Sequence, residues 1–375
     1  MSAAIEKLSM PKWGLSMKEG RILDWLVDEG AELRAGDQLA EVETEKINGF
    51  VEAPAAGVLR RRVAAVHDVV PVGGLLGVIA EASVPDAEID AFVAEFEASF
   101  VPGEAEAEGG PQPETVEVGG LALRFLRLGE GDDPLVLLHG FGADLDNWLF
   151  NSEPLAAERP VYTLDLPGHG GSSKDVGDGD LGVLVAAVRG FLDSQGLERA
   201  HLAGHSMGGL VAAQLALEEP GRVRSLTLVD SAGLGEEIDR DYLEGFIAAT
   251  GRRDLKPVLQ RLFADPSLVS RQMVEETLRY KRLDGVTEAL RTLAAGLFPD
   301  GRQRRVLAAE LAGFEGPLLV VWGERDQVIP AAHASLAPEA AEVHVLPDTG
   351  HSPHMERAGE FNRTIEGFLA GVRAG

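Results

Sequence analysis

One pentapeptide constrains this chain more than any other stretch: Gly204-His-Ser-Met-Gly208. An apolar run, Ala200 to Ala203, precedes it, and a stretch of helical character, Leu210 to Leu217, follows. A Gly-x-Ser-x-Gly segment between a strand and a helix forces its serine into a sharp, strained turn, with room only for small residues on either side. The flanking pattern therefore predicts a strand, a turn and a helix, with Ser206 raised on the turn as a nucleophile. A chain containing such a unit is expected to build an open α/β sheet.

Other strand ends from Thr115 onward carry chemistry of the same kind. Pro134-Leu-Val-Leu-Leu-His-Gly-Phe-Gly142 reads as a buried strand ending in a turn, and Asp165-Leu-Pro-Gly-His-Gly170 follows another strand. Trp322-Gly-Glu-Arg-Asp326 follows the run Leu318 to Val321, and Asp348-Thr-Gly-His351 follows Val343 to Leu346. This places Asp326 and His351 at the C-terminal ends of strands, where the sites of open α/β sheets gather. Ser206, Asp326 and His351 then supply nucleophile, orienting acid and general base for covalent acyl chemistry. The backbone N–H groups of Phe141 and Met207 are the candidates for an oxyanion hole. Asp230, at the end of the strand Leu226 to Val229, is a rival acid, and His354 is a rival base. His139 and His169 read as structural loop residues. The segment from Gly235 to about Pro299 is helical in pattern, with runs such as Arg282 to Leu297.

Residues Ile5 to Ala80 read differently, as short apolar runs with β-type spacing broken by glycines. They contain a repeat at an offset of 37 residues, pairing Gly20 with Gly57, Ile22 with Leu59, Leu26 with Val63, Leu33 with Val70, Gly36 with Gly73, Leu39 with Leu76 and Val42 with Ile79. The repeat predicts two similar four-strand halves wrapped into one small sandwich. Between the halves, a strand ending near Glu43 and another beginning at Ile47 leave Glu45-Lys46 at a tight exposed turn. A lysine there is either an ordinary surface residue or one open to covalent modification. Pro85 to Phe100 forms one short amphipathic helix in this reading. Val101 to Pro113, VPGEAEAEGGPQP, is a linker that spans roughly 20 Å as a random coil.

Composition narrows the function classes. With no cysteine among 375 residues, disulfides, thiolate metal sites and cysteine nucleophiles are excluded, and no metal site is expected. A net charge of −27 argues against nucleic acid and anionic lipid as partners, since both need basic patches. No apolar run is long enough for a membrane span. The opening residues lack the basic start and apolar core of a secretory signal, so a cytoplasmic location is expected.

These motifs carry resemblances. Met10-Pro-Lys-Trp-Gly-Leu-Ser-Met17, Glu19-Gly20, Glu43-Thr-Glu-Lys-Ile47 and Ala53-Pro-Ala-Ala-Gly57 resemble the lipoyl domains of 2-oxo acid and acetoin dehydrogenase complexes. That resemblance implies an all-β barrel-sandwich hybrid over residues 1–81, with lipoate attached to Lys46 through an amide. The common Asp-Lys of that family is Glu45-Lys46 here, which keeps the carboxylate. Biotinyl domains carry Met-Lys-Met at this place, so biotin is disfavoured. Residues from about Leu121 to Leu369 resemble the α/β-hydrolase superfamily, which implies a domain over 115–375 with a helical cap at about 235–300. Residues 82–114 would hold the short helix and the acidic linker. The fusion resembles the acyltransferase subunit of acetoin dehydrogenase complexes. It implies transfer of acetyl from S-acetyl-dihydrolipoyl-Lys46 to coenzyme A, within a complex containing thiamine-diphosphate-dependent acetoin dehydrogenase subunits and dihydrolipoyl dehydrogenase. Two rivals stay open: a thioester, ester or C–C bond hydrolase with an appended lipoyl domain, and a non-catalytic carrier. Self-association is also open.

Overall fold

The computed structural model describes residues 5–13, 17–44, 48–101 and 112–374, which fall into two compact units, 1–110 and 111–375. Lys46 and most of the Val101 to Pro113 linker lie outside the described residues.

The first unit contains β1 (Ile5–Ser9), β2 (Glu19–Trp25), β3 (Glu32–Leu33), β4 (Gln38–Glu43), β5 (Asn48–Glu52), β6 (Gly57–Arg62), β7 (Val69–Pro71), β8 (Leu75–Ala80) and the helix α1 (Asp86–Ser99). Two four-stranded antiparallel sheets have the orders β1-β8-β6-β3 and β5-β4-β2-β7. Exchanging β1 with β5, β2 with β6, β3 with β7 and β4 with β8 carries one order onto the other. The 37-residue repeat is therefore a structural one, and Gln38–Glu43 maps residue for residue onto Leu75–Ala80. The inward positions Ile22, Leu39, Val42, Leu59, Leu76 and Ile79 are fully buried between the sheets. Glu43 and Asn48 pair across the end of the β4–β5 ladder.

Helix α1 packs on this sandwich. Its Ile89 is fully buried, and Phe92, Val93 and Phe96 cover Leu75, Val78 and Ala80. Arg60 on β6 donates to the carbonyls of Glu81 and Val84 at 2.8 Å and pairs with Asp86 at 2.7 Å. The strand β8 is buried along its whole length because the helix covers the face that would otherwise meet water.

The second unit contains β9 (Glu114–Val118), β10 (Leu121–Leu128), β11 (Leu135–Leu138), α2 (Ser152–Leu155), β12 (Val161–Leu164), α3 (Leu181–Ser194), β13 (Ala200–His205), α4 (Met207–Glu218), β14 (Val223–Val229), α5 (Arg240–Ala248), α6 (Arg252–Gln260), α7 (Arg271–Lys281), α8 (Val286–Leu297), α9 (Ala308–Leu311), β15 (Leu318–Gly323), β16 (Glu342–Leu346), α10 (Pro353–Glu356) and α11 (Ala358–Ala374). Its eight-stranded sheet runs β16-β15-β14-β13-β11-β12-β10-β9. The strands from β12 to β16 in this order are parallel, and β10 and β9 add an antiparallel edge. Strands buried on both faces need continuous apolar runs, and Leu135–Leu138 and Leu318–Gly323 supply them.

From β11 the chain moves outward to β12, then returns to β13 on the other side of β11. This reversal makes a switch point, and the loops leaving β11 and β13 flank a crevice there. Helices α5 to α8 form the expected cap. Phe246 of α5 stacks edge-on against Phe141 at 6.2 Å, and Tyr280 of α7 donates to the Gly168 carbonyl at 3.3 Å. The helical run expected from Arg282 begins instead at Val286. Gly285, at φ 82°, breaks the chain between α7 and α8.

Candidate active site

Ser206 stands between β13 and α4 with φ 52° and ψ −117°, a region few residues other than glycine enter. Backbone bonds hold it there. Its N–H donates to the Val229 carbonyl at 2.9 Å, and its own carbonyl accepts from Gly209 and Ala232, each at 3.0 Å. The flanking glycines answer a close approach: a Cβ on Gly208 would lie 2.4 Å from the Leu138 carbonyl oxygen, and one on Gly204 would lie 2.3 Å from that of Gly208. The serine hydroxyl does not cap α4. It stays available for chemistry at the positive end of the helix dipole.

The loop after β11 lies directly against this turn. A Cβ added to Gly140 would come within 3.2 Å of the Ser206 Cβ, so the backbone entering Phe141 passes beside the nucleophile. Met207 opens α4, where a backbone N–H has no carbonyl one turn earlier to bind. The two expected oxyanion donors thus belong to segments in contact with Ser206. His139 and His169 hold that loop. Leu166 N–H donates to His139 Nε2 at 3.0 Å, and Gly142 N–H donates to His169 Nε2 at 3.0 Å. Both rings sit below the usual histidine pKa, chiefly because burial penalises their charged forms. Neutral rings with backbone partners are structural, as their sequence context indicated.

Asp326 and His351 meet from adjacent strand ends. His351 Nδ1 lies 2.7 Å from Asp326 Oδ2, and both side chains are almost wholly covered. Asp326 Oδ1 accepts from the N–H groups of Val328 and Ile329 at 2.7 and 3.0 Å. A carboxylate bound in this way fixes the ring with its other nitrogen free for proton transfer. His205, the residue before Ser206, donates from Nε2 to the His351 carbonyl at 2.7 Å. That bond ties the base's loop to the nucleophile's strand. His354 packs between His205 and Trp148, with ring centroids at 4.6 Å from each. Burial pushes it down to about 3, so the rival base is a neutral ring in the core.

Two residues of the site escaped the sequence reading. One is His205, whose position in Gly-His-Ser-Met-Gly marks no particular role. The other is Glu356 on α10, which accepts from Gly350 N–H at 2.7 Å and from Ala264 N–H at 2.9 Å. It therefore clips the His351 loop to the cap segment between α6 and α7. Burial raises its carboxyl to about 7, against the pull of four nearby N–H groups. No local spacing signals such a contact, because Ala264 is 92 residues away.

The comparisons with known proteins bear on the fold and the family. Residues 133–358 match the family described as alpha/beta hydrolase fold, and residues 6–79 match a biotin/lipoyl attachment family described as biotin-requiring enzyme. The chain is 53% identical to the dihydrolipoyllysine-residue acetyltransferase component of an acetoin cleaving system from Pseudomonas putida, over 97% of this chain and 98% of that protein. It belongs to that acetyltransferase family. A second member, from Cupriavidus necator, is 51% identical over 99% of both chains. The solved structure of a meta-cleavage product hydrolase from Pseudomonas fluorescens IP01 shares the hydrolase fold, with a TM-score of 0.64 and 22% identity over 69% of this chain and 97% of that one. This chain thus combines a lipoyl domain with an α/β-hydrolase domain. No described helix is long and apolar enough to cross a membrane.

Proposed function

We propose that this acetyltransferase moves acetyl from S-acetyl-dihydrolipoyl-Lys46 to coenzyme A through an acyl-enzyme on Ser206. The observation that carries this reading is the Asp326–His351 pair, at 2.7 Å, on the strand ends beside the Ser206 turn. Lys46 would hold lipoate as an amide, and attached lipoate carries an acyl group as a thioester on a long flexible arm. The neighbouring residues fit that role, because Glu43 and Asn48 close the end of a ladder and the Glu43 side chain is half exposed.

In the first half-reaction Ser206 Oγ bonds to the thioester carbonyl carbon while its proton passes to His351 Nε2. The C–S bond then breaks, and His351 returns the proton to the departing thiol. In the second half, His351 takes the proton of the coenzyme A thiol, whose sulfur attacks the Ser206 ester. Ser206 leaves as an alcohol with that proton. In both halves the oxyanion rests on the N–H groups of Phe141 and Met207, each worth about 10²- to 10³-fold in rate. Asp326 orients the imidazole and offsets its charge when protonated.

Transfer rather than hydrolysis is supported by the two relatives, 53% and 51% identical over nearly the whole chain, that carry the acetyltransferase name. The other subunits of the cytoplasmic complex would be a thiamine-diphosphate-dependent acetoin dehydrogenase and dihydrolipoyl dehydrogenase. Supplying acetyl-dihydrolipoamide with and without coenzyme A tests the acceptor. Acetyl-CoA as the main product supports the proposal, and free acetate at the same rate in both cases would replace it with a hydrolase.

A further inference from the structure

The mechanism above leaves a buried acid beside the Asp326–His351 pair unused. Asp230 follows β14, the strand between those that lead to Ser206 and Asp326, and it is fully buried. Its backbone has φ 42°, a conformation that residues other than glycine rarely adopt, and its N–H donates to the Val321 carbonyl at 3.0 Å. This strained turn directs the carboxyl toward the loop after β15. There Oδ1 accepts from Gly323 N–H at 3.0 Å, while Oδ2 is buried with no hydrogen-bond partner. Polar atoms of Asp230, Asp326 and His351 lie within 4.8 Å of one another.

Two carboxylates this close in a dry site cannot both stay ionised, so one proton must reside on the pair. The surroundings decide where it sits. Asp326 has two N–H donors and the His351 ring, all of which favour its anion. Asp230 has a single N–H donor. We propose that Asp230 is a protonated positioning residue whose Oδ2–H donates to the Asp326 carboxylate and holds it against His351. The inference rests on the triad reading of the site. It gives the orphaned oxygen a partner and leaves the pair with one negative charge. That charge balances the imidazolium formed when His351 takes the Ser206 proton. Burial beside Asp326 raises the Asp230 carboxyl well above the usual carboxylate range, as this assignment requires. The groups facing it are Asp326 from the β15 loop, His351 from the β16 loop and Glu356 from α10, and Glu356 adds a further push in the same direction.

The full chain is tested with p-nitrophenyl acetate, reading the acylation burst across pH for Asp230→Asn, Asp230→Ala, Asp326→Asn and the Asp230→Asn/Asp326→Asn double variant. The asparagine amide keeps both the donor and the acceptor, so Asp230→Asn is expected to retain most of the burst rate with the acid limb of its pH profile unmoved. Asp230→Ala is expected to lose about tenfold to a hundredfold, as removal of a hydrogen bond to a charged group does. Asp326→Asn frees Asp230 to ionise, so the double variant is expected to be slower than Asp326→Asn by about tenfold or more. An acid limb that falls by about one pH unit or more in Asp230→Asn would mean an ionised Asp230 and overturn the proposal. Equal bursts in Asp326→Asn and the double variant would also overturn it. If the alanine variant fails to fold by circular dichroism, the asparagine pair still decides. Ser206→Ala separates the two levels. A burst that survives in Ser206→Ala removes the triad reading itself, whereas its loss together with a shifted Asp230→Asn profile removes only the role of Asp230.

Discussion

Ser206→Ala is expected to lower kcat for thioester cleavage by about 10⁴- to 10⁶-fold while leaving the fold in place. The magnitude follows from what the substitution removes. Without Oγ there is no covalent intermediate, and the oxyanion donors and binding contacts alone supply the remaining acceleration. The preserved fold follows from the geometry of the turn. The hydroxyl caps no helix, and the bonds that hold the strained backbone come from Val229, Gly209 and Ala232. A thermal midpoint within a few degrees of the wild type, measured beside the burst, is therefore expected. A melt far below the wild type would mean that the lost activity reports unfolding. A kcat reduced by less than tenfold would place the nucleophile elsewhere.

Lys46→Arg is expected to abolish acetyl flow from the decarboxylating partner altogether. Arginine keeps the positive charge but cannot form the amide that lipoate requires, so the change is chemical rather than electrostatic. The loss should be confined to the tethered route. Acetyl-dihydrolipoamide supplied free should restore acetyl-CoA formation, but only near the millimolar concentrations that delivery within one chain reaches. Intact mass read before the assay checks the premise, with one lipoyl group expected on the wild type and none on the variant. An unmodified wild type that still supports full flux would remove Lys46 from the relay.

Much of this arrangement was legible in the sequence because it is local. The serine turn carries its own steric signature, and a Cβ at Gly204 or Gly208 meets backbone within 2.4 Å. Asp326 and His351 could be placed because each follows an apolar strand, and strand order converts into position at the sheet's edge. The repeat of 37 residues was legible for the same reason, since it preserves inward positions such as Ile22 and Leu59. Contacts across the chain were not legible. Nothing near Asp230 in sequence announces Asp326, nor does anything near Glu356 announce Ala264. Helix α1 was expected from its pattern, but its packing on β8 depends on Arg60 and Val78, which lie outside it. The break at Gly285 was hidden because one glycine does little to interrupt a helical pattern of apolar residues.

The identity of the acyl carrier on the enzyme is the point on which the account stands. Brief exposure of the full chain to acetyl-dihydrolipoamide without coenzyme A, followed by acid quench and peptide mass mapping, tests it most directly. One acetyl group on the peptide bearing Ser206 is expected, lost again when coenzyme A is added before the quench. An acetyl group found only elsewhere, or retained in Ser206→Ala on the same peptide, would contradict the acyl-enzyme on Ser206.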